Sequence, residues 1–434
     1  MTRLPAKHRT AYINARLLDP ASGLDAPGAL LAEDGRISDI GPQLFADGVP
    51  EGIQTVDCAK ACLAPGLVDM RVHIREPGEE QKETMGSAGR AAAAGGVTSV
   101  VALPNTDPVI DDVAGVEYIA RRAREEKRVK VYTYAAVTKG TEGRELTELG
   151  MLGEYGAVAF TDGTKAVASA QVMRRALSYA KTFGHLIVQH PEEPSLAGGA
   201  MNGGEMATRL GLPGIPSVAE VMMVERDLRL VELTGGRYHV AHVSTAATVD
   251  VIRRAKARGL NVTCDTAPHY LTLNEIAVGD YRTFAKVSPP LRGEDDRRAV
   301  MEGLIDGTID AIASDHAPHD QESKRLPFAI AEPGIVGLET LLPLSLQLFH
   351  SEKIDLLDLL GRITAKPADI LGLKAGHLTK GSPADLLIFD LNKAGKIDPD
   401  LFESKSKNTP FEGLPVQGRV RRTVVDGRSL FEAA

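Results

Sequence analysis

Residues from about 60 to 370 alternate short apolar runs with segments of helical periodicity, and this alternation restricts the folds open to the chain. Eight such strand–helix units predict a (β/α)₈ barrel, with a doubly wound open sheet as the alternative. No Gly-x-Gly-x-x-Gly follows the first strand, which argues against a dinucleotide-binding sheet. The predicted strands are 63–74, 97–104, 129–138, 157–162, 186–190, 237–244, 261–269 and 310–316.

Many of these predicted strands end in polar residues, and that placement favours the barrel. In such barrels the carboxyl ends of the strands form the active-site face. Alternate residues of a strand share a face, so Arg71, His73 and Arg75 of the first strand project together. The other polar strand ends carry Asn105, His190, His242, His269, Asp315 and His319.

The histidines and the aspartate among these residues are typical ligands of a divalent cation such as zinc. A carboxylate beside a zinc-activated water, such as Asp315, can accept its proton and pass it to a leaving nitrogen. One histidine at a strand end is more often structural. His239, for example, lies an odd number of residues from His242 and faces the other side of its strand. The joint occurrence that predicts a metal site is that of His73, His190, His242 and Asp315.

Both ends of the chain are rich in short strand-like pieces, unlike the middle. Residues 29–37 form a hairpin signature with Asp-Gly at the turn, and 384–390 and 419–427 are further candidate strands. We therefore predict a small β domain built from both chain termini. The predicted domains are 1–59 and 373–434 for the two parts of the small β domain, and 60–372 for the barrel.

The composition is that of an ordinary globular protein and disfavours several classes. The 434 residues carry a net charge of −8 with no basic stripe, so we expect no nucleic-acid partner. No run of 18 apolar residues occurs and no apolar stretch follows the N-terminal charges, so we expect neither a membrane span nor a signal peptide. Three scattered cysteines are typical of reduced thiols and predict a cytoplasmic location.

Several motifs, spread over nearly the whole chain, are highly specific in combination. They lie at 75–78, 103–106, 202–205, 239–245, 288–292, 315–319, 334–340 and 406–410. In these motifs the chain resembles the dihydroorotase family of the amidohydrolase superfamily, in its longer bacterial type. The resemblance implies a (β/α)₈ barrel with a small β domain from both termini. It also implies a small-molecule substrate and the family reaction, the reversible closure of carbamoyl-aspartate to dihydroorotate in pyrimidine synthesis.

The resemblance further implies a role for each candidate residue. His73 would be the metal ligand of the first strand, while His190 and His242 would bind the second metal. Asp315 would serve as metal ligand and general acid/base. An arginine fork suits a carboxylate, because it gives two parallel charged hydrogen bonds. The residues expected to hold the substrate carboxylate are Arg75, Asn105 and His319.

Three positions depart from the family pattern. Arg71 stands where the family has the first histidine of His-x-His, and a guanidinium has no lone pair to give to a metal. Gly163 replaces the aspartate that bridges two metals, and the neighbouring Asp162 would point to the opposite strand face. Ser288 replaces an asparagine that contacts substrate. These changes predict that a two-metal site bridged in the family manner does not form.

The hypothesis we favour is an active dihydroorotase with zinc as cofactor, one ion per chain. The ion would be held by His73, by His190 or His242, and by Asp315. We also expect a homo-oligomer, because the family tends to form one.

Two other functions remain open at this point. Arg71 and Gly163 motivate a non-catalytic dihydroorotase-like subunit that assembles with aspartate transcarbamoylase. Another cyclic amide, such as a hydantoin, could be the substrate of a hydrolase of this type. The pairing of Arg75 with Asn105 favours a substrate that carries a carboxylate and makes a hydantoin the weaker choice.

Overall fold

Eight short parallel strands follow one another in a barrel in the computed structural model, which describes residues 8–433. The strands of the whole chain are β1 (Arg9–Asp19), β2 (Leu24–Glu33), β3 (Arg36–Gly41), β4 (Gln54–Asp57), β5 (Cys62–Pro65), β6 (Leu67–Val72), β7 (Val97–Ala102), β8 (Lys130–Ala135), β9 (Ala157–Phe160), β10 (Leu186–Gln189), β11 (Met201–Asn202), β12 (Gly214–Ile215), β13 (Arg237–Val240), β14 (Val262–Thr266), β15 (Ala311–Ile312), β16 (Leu386–Lys396), β17 (Pro415–Val425) and β18 (Arg428–Glu432). The helices are α1 (Met85–Ala94), α2 (Val113–Glu126), α3 (Leu149–Glu154), α4 (Ala170–Phe183), α5 (Glu205–Leu210), α6 (Val218–Thr234), α7 (Ala246–Ala257), α8 (Pro268–Thr272), α9 (Glu294–Ile305), α10 (Gln321–Arg325), α11 (Leu341–His350), α12 (Leu356–Ile363) and α13 (Ala365–Leu371).

The barrel consists of β6 to β10 and β13 to β15, and each strand pairs in parallel with the next. The strands lie in the sheet in their chain order, as in a barrel. In a doubly wound sheet the strand order would reverse at a switch point in the middle of the sheet. First and last strands meet where Val72 bridges His316, and the His73 N–H donates to the His316 carbonyl at 2.9 Å. The predicted (β/α)₈ barrel is therefore confirmed, and all eight predicted strands overlap a barrel strand.

The predicted strand 63–74 is in fact two strands, β5 and β6, because the chain changes sheets at Gly66. A Cβ atom at Gly66 would lie 2.1 Å from Thr98 Cγ2, so only glycine allows this close approach to β7. β5 pairs with β1 and β16, whereas β6 begins the barrel. A domain boundary after residue 59 thus leaves β5, a strand of the terminal sheet, on the barrel side.

Helix α4 shows how local sequence forms the ring of helices around the barrel. Its N-cap Ser169 accepts a hydrogen bond from the N–H of Val172, and Gly184 ends the helix at φ 70°. One face of the helix is apolar at helical spacing and packs on α6, β10 and β13. The buried residues of that face are Val172, Met173, Ala176, Leu177 and Ala180.

The second large sheet is built from both ends of the chain, as predicted. Its strand order is β18-β17-β16-β5-β1-β2-β3, with β4 pairing in parallel to β1. The predicted Asp34-Gly35 turn joins β2 to β3. The loop from β16 to β17 leaves this sheet and reaches the barrel through Ser404 and Asn408.

Two further expectations, on membrane spans and on the cysteines, concern residues 8–433. The helices there are too short or too polar to cross a lipid bilayer. Cys58, Cys62 and Cys264 are buried and form no disulfide, as predicted for reduced thiols.

Candidate active site

The polar strand-end residues lie buried where the carboxyl ends of the barrel strands meet. Arg71 lies near the end of β6 and His73 directly follows that strand, and the two residues are 3% and 6% exposed. His242 is fully buried after β13, and Asp315 follows β15. The sequence-predicted residues that are also buried there are Arg75, His190, His269 and His319.

An ion pair between Arg71 and Asp315 lies at the centre of this site. Arg71 Nε donates to Asp315 Oδ1 at 3.1 Å, and Nη2 donates to the Gly163 carbonyl at 3.2 Å. The remaining nitrogen, Nη1, is buried and has no hydrogen-bond partner. Burial raises the pKa of Asp315 to about 6, and the Arg71 guanidinium opposes this shift.

The histidines beside this pair are held as neutral imidazoles. Burial lowers the pKa of His73 well below its usual value, and Arg75 and Arg71 lower it further. Burial and Arg71 do the same to the pKa of His242. Neutral imidazoles retain a lone pair and can act as metal ligands.

His190 and His242 are close enough to share a ligand. Their ring centroids are 5.8 Å apart, with an angle of 64° between the ring planes. Both nitrogens of His242 and Nδ1 of His190 are buried without a hydrogen-bond partner. His242 Nδ1 lies 3.9 Å from Asp315 Oδ1. Burying such nitrogens without a partner is costly, and these imidazoles retain the capacity to bind a ligand.

Neither Gly163 nor Asp162 offers a side-chain ligand for a metal ion at this site. Gly163 has no side chain to offer, and its carbonyl already accepts from Arg71. Asp162 is turned away, as predicted, with Oδ1 accepting the Thr138 N–H at 2.9 Å. Within residues 8–433, no three His, Cys, Asp or Glu side chains are grouped closely enough to hold an ion. The ligand set His73, His190, His242 and Asp315 therefore stays a prediction.

The predicted carboxylate-binding residues lie at the edge of the same site. Arg75 Nη2 is 3.1 Å from His319 Nε2, and Arg75 Nε donates to the Pro318 carbonyl at 3.2 Å. His319 Nδ1 is buried and unpaired, and burial lowers the pKa of His319 far enough to keep it neutral. Asn105 Oδ1 is also buried and unpaired. Arg75 and His319 are thus brought together, and both His319 and Asn105 keep hydrogen-bonding capacity for a ligand.

Two carboxylates that support the histidines were not predicted. Asp265 Oδ1 accepts the backbone N–H of His242 at 2.8 Å, and Oδ2 lies 2.9 Å from His239 Nε2. Glu192 Oε2 lies 3.1 Å from His190 Nε2 and accepts from Ser288 Oγ at 2.6 Å. The sequence gives only a weak signal for these two residues. Glu192 is two residues after His190, and Asp265 lies on β14, so its contact with His242 after β13 depends on how the two strands pair.

Comparison with known proteins assigns the chain to a family. A family model described as "Dihydro-orotase-like" matches residues 45–248. A protein named dihydroorotase from Wolbachia sp. subsp. Brugia malayi is 48% identical over 427 residues, which cover 98% of this chain and 96% of that protein. The dihydroorotase of Syntrophotalea carbinolica is also 48% identical, over 96% of this chain and 97% of its own length.

Solved structures of related hydrolases share the fold. The L-hydantoinase of Arthrobacter aurescens superposes with a TM-score of 0.88 at 27% identity, covering 98% of this chain and 96% of its own. The dihydropyrimidinase of Brevibacillus agri superposes with a TM-score of 0.86 at 22% identity, covering 98% and 95%. The near-full-length identity to the curated relatives is decisive, and the chain belongs to the dihydroorotase family.

Proposed function

We propose that this protein is a dihydroorotase, a cyclic amide hydrolase that interconverts dihydroorotate and carbamoyl-aspartate in de novo pyrimidine biosynthesis. The observation that carries the proposal is identity near 48% over almost the whole chain to proteins named dihydroorotase. The hydantoinase structures are more distant, at 27% identity or less. Arg75 and Asn105 also favour a carboxylated substrate, which a plain hydantoin is not.

Asp315 is the residue we assign to proton transfer. In the hydrolytic direction, water oxygen bonds to the carbonyl carbon of the ring amide, the C–N bond breaks, and the nitrogen gains a proton. A carboxyl group with its pKa near 6 can accept the proton of the water and return it to nitrogen at neutral pH. We assign the substrate carboxylate to Arg75, to the side-chain amide N–H of Asn105 and to His319.

We also propose that the site takes a single zinc ion. Its ligands would be drawn from His73, His190, His242 and Asp315, because all four are buried at the strand ends and the lowered pKa values of His73 and His242 favour neutral imidazoles. Zinc, when bound, lowers the pKa of its water to near 7 and so supplies hydroxide at neutral pH. Arg71 and Gly163 cannot provide side-chain ligands for a second metal ion.

The non-catalytic alternative gains no support from the comparisons, since the compared relatives carry the name of the enzyme. Assembly with aspartate transcarbamoylase, a homo-oligomeric state and a cytoplasmic location stay predictions. Co-purification with the transcarbamoylase and light scattering would test the first two.

The test of the function is hydrolysis of dihydroorotate by the purified, zinc-loaded protein, followed in both directions. Removing one acid/base group costs about 10²- to 10⁴-fold in kcat, so Asp315→Asn should lose at least 100-fold. Asp306→Asn is the matched control, because Asp306 pairs with Arg253 on the exposed surface. Turnover of hydantoin but not of dihydroorotate, or an unaffected Asp315→Asn variant, would contradict the proposal.

A further inference from the structure

We propose that Arg71 is a catalytic residue that takes the place of a metal ion, with Nη1 donating to the carbonyl oxygen of the amide bond that is hydrolysed. This inference rests on the proposed function and extends it to Arg71, which stands at a ligand position of the family's two-metal site. It has two parts, which are tested separately: the site accepts no second metal ion, and the guanidinium stabilises the reacting oxygen.

The geometry of Arg71 leaves one donor free for a ligand. Nε is held by Asp315 and Nη2 by the Gly163 carbonyl, so the plane of the guanidinium is fixed. Nη1 is shielded from solvent by the site and has no partner. A fixed, buried N–H with no acceptor is the arrangement expected of a donor that waits for a substrate atom.

The surroundings of Arg71 complete a space for that atom. Both nitrogens of His242 and Oδ1 of Asn105 are also buried and unpaired. Arg71 comes from the first barrel strand and bonds to Gly163 after the fourth strand and to Asp315 after the eighth, which places its charge at the centre of the barrel end. Asp315, the proposed acid/base, is bonded to the same guanidinium. The unpaired Nη1 donor and the proposed proton carrier thus belong to one guanidinium–carboxylate pair, with His242 Nδ1 3.9 Å from Asp315 Oδ1.

A second metal ion does not fit beside this guanidinium. Arginine stays protonated and has no lone pair to donate, and its charge repels a cation. Gly163 could not supply a ligand through a simple substitution either, because its φ is 71° and a Cβ there would lie 2.6 Å from Asn105 Oδ1. Asn105 fills the space that a ligand side chain at 163 would need.

The reaction step balances with water as the co-reactant. Addition of water to the ring carbonyl carbon turns the carbonyl oxygen into an oxyanion, and Arg71 Nη1 donates to that oxygen. Asp315 takes the water proton and gives it to the ring nitrogen as the C–N bond breaks. The carbonyl re-forms as a carboxylic acid, whose remaining proton, the second from water, passes to solvent to leave the carboxylate of carbamoyl-aspartate. Arg71 stays protonated throughout, so its role is electrostatic.

The first test counts zinc in the wild-type protein after saturation with zinc and removal of the excess. We expect no more than one ion per chain by elemental analysis. Two tightly held ions per chain would overturn the proposal. This count needs no variant and no activity, so it holds even where a variant at position 71 does not fold.

The second test is kinetic. Loss of one oxyanion donor costs about 10²- to 10³-fold in kcat, so we expect that loss in Arg71→Met with KM changed less than about threefold. Arg71→Ala should regain activity with added guanidinium at millimolar concentration, whereas sodium chloride at equal ionic strength should not restore it. Asp315→Asn should show no such rescue. A kcat within threefold of wild type in Arg71→Met, or no rescue of folded Arg71→Ala, would overturn the catalytic role.

The outcomes separate the two proposals. A wild-type protein that does not turn over dihydroorotate refutes the proposed function, and the zinc count still decides whether Arg71 excludes a second ion. A wild-type protein that is active, with Arg71→Met equally active, refutes only the inference about Arg71.

Discussion

At the scale of single residues, the site depends on buried cations whose nitrogens are paired in specific directions. Arg75 is 9% exposed, and its three nitrogens face the Pro318 carbonyl, the carboxylate of Glu79 and His319 Nε2. The contact with His319 directs one arm of the fork towards the site. That arm is the one we assign to the substrate carboxylate.

Arg75→Lys should weaken dihydroorotate binding by about 10- to 100-fold, because lysine cannot bond the Pro318 carbonyl and Glu79 and also present an N–H to the substrate carboxylate. The measurement is KM together with calorimetric affinity. Arg90→Lys is the control, since Arg90 lies on the exposed side of α1. If dihydrouracil, which lacks the carboxylate, loses affinity to the same extent, Arg75 does not bind that group.

At the scale of elements, the junction of β5 and β6 connects the terminal sheet to the barrel. The two strands are separated by Gly66 alone, and a side chain there would collide with Thr98 on β7. A change at this position therefore acts on two sheets at once.

Gly66→Ala should lower the free energy of unfolding by about 1–3 kcal/mol, because the added methyl group overpacks a buried junction. Urea unfolding followed by circular dichroism gives the change. Gly395→Ala is the control, because a Cβ there meets nothing within 4 Å. Equal stability of the two variants would show that β7 moves away at no cost.

The short apolar runs between helical segments were enough to predict the eight barrel strands. The polar strand ends were enough to predict which end of the barrel carries the site. The contacts within the site could not be predicted in this way. Arg71 pairs with Asp315 across the seam between first and last strands, and Asp265 supports His242 from a neighbouring strand. Such contacts depend on the register between strands, which periodicity does not specify. The split at Gly66 was missed because the apolar run continues through it.

At the scale of the whole molecule, the loop from β16 to β17 links the terminal sheet to the active site. Asn408 is 2% exposed, and its Nδ2 donates to the carbonyls of Ala317 and Gly334, both at 3.0 Å. Its Oδ1 accepts the His319 N–H at 3.0 Å. The backbone of His319 is thus positioned by a residue outside the barrel.

Asn408→Ala should raise the KM for dihydroorotate several-fold and destabilise the protein by about 1–3 kcal/mol, because buried backbone groups lose their partner. Steady-state kinetics and urea unfolding measure the two effects. Asn392→Ala, at an exposed position on β16, should change neither. Unchanged kinetics in Asn408→Ala would mean that His319 keeps its place without this loop.

The same loop gives stability a pH dependence through Glu339, whose carboxylate accepts the N–H groups of Glu403 and Ser404. Burial raises the pKa of Glu339 to about 7, and the backbone N–H groups of Glu403 and Ser404, together with the Lys407 charge, only partly oppose this shift. The folded state therefore favours the protonated carboxyl. The stability from this proton is complete below about pH 4.5 and disappears as pH rises through 7.

Relative to Glu339→Gln, the wild type should lose on the order of 2 kcal/mol between pH 5 and pH 8. Urea midpoints of both proteins at the two pH values give this difference. A constant difference between them would mean that Glu339 is ionised throughout.

The pairing of β5 has a consequence for how the chain is made. β5 lies between β1 and β16, so one of its two neighbours leaves the ribosome only after the whole barrel has been synthesised. While the barrel residues are synthesised, β5 has an open edge directly before the first barrel strand. An unpaired edge of that kind can pair with other chains. Nascent chains stalled before residue 386 should therefore need a chaperone to remain soluble.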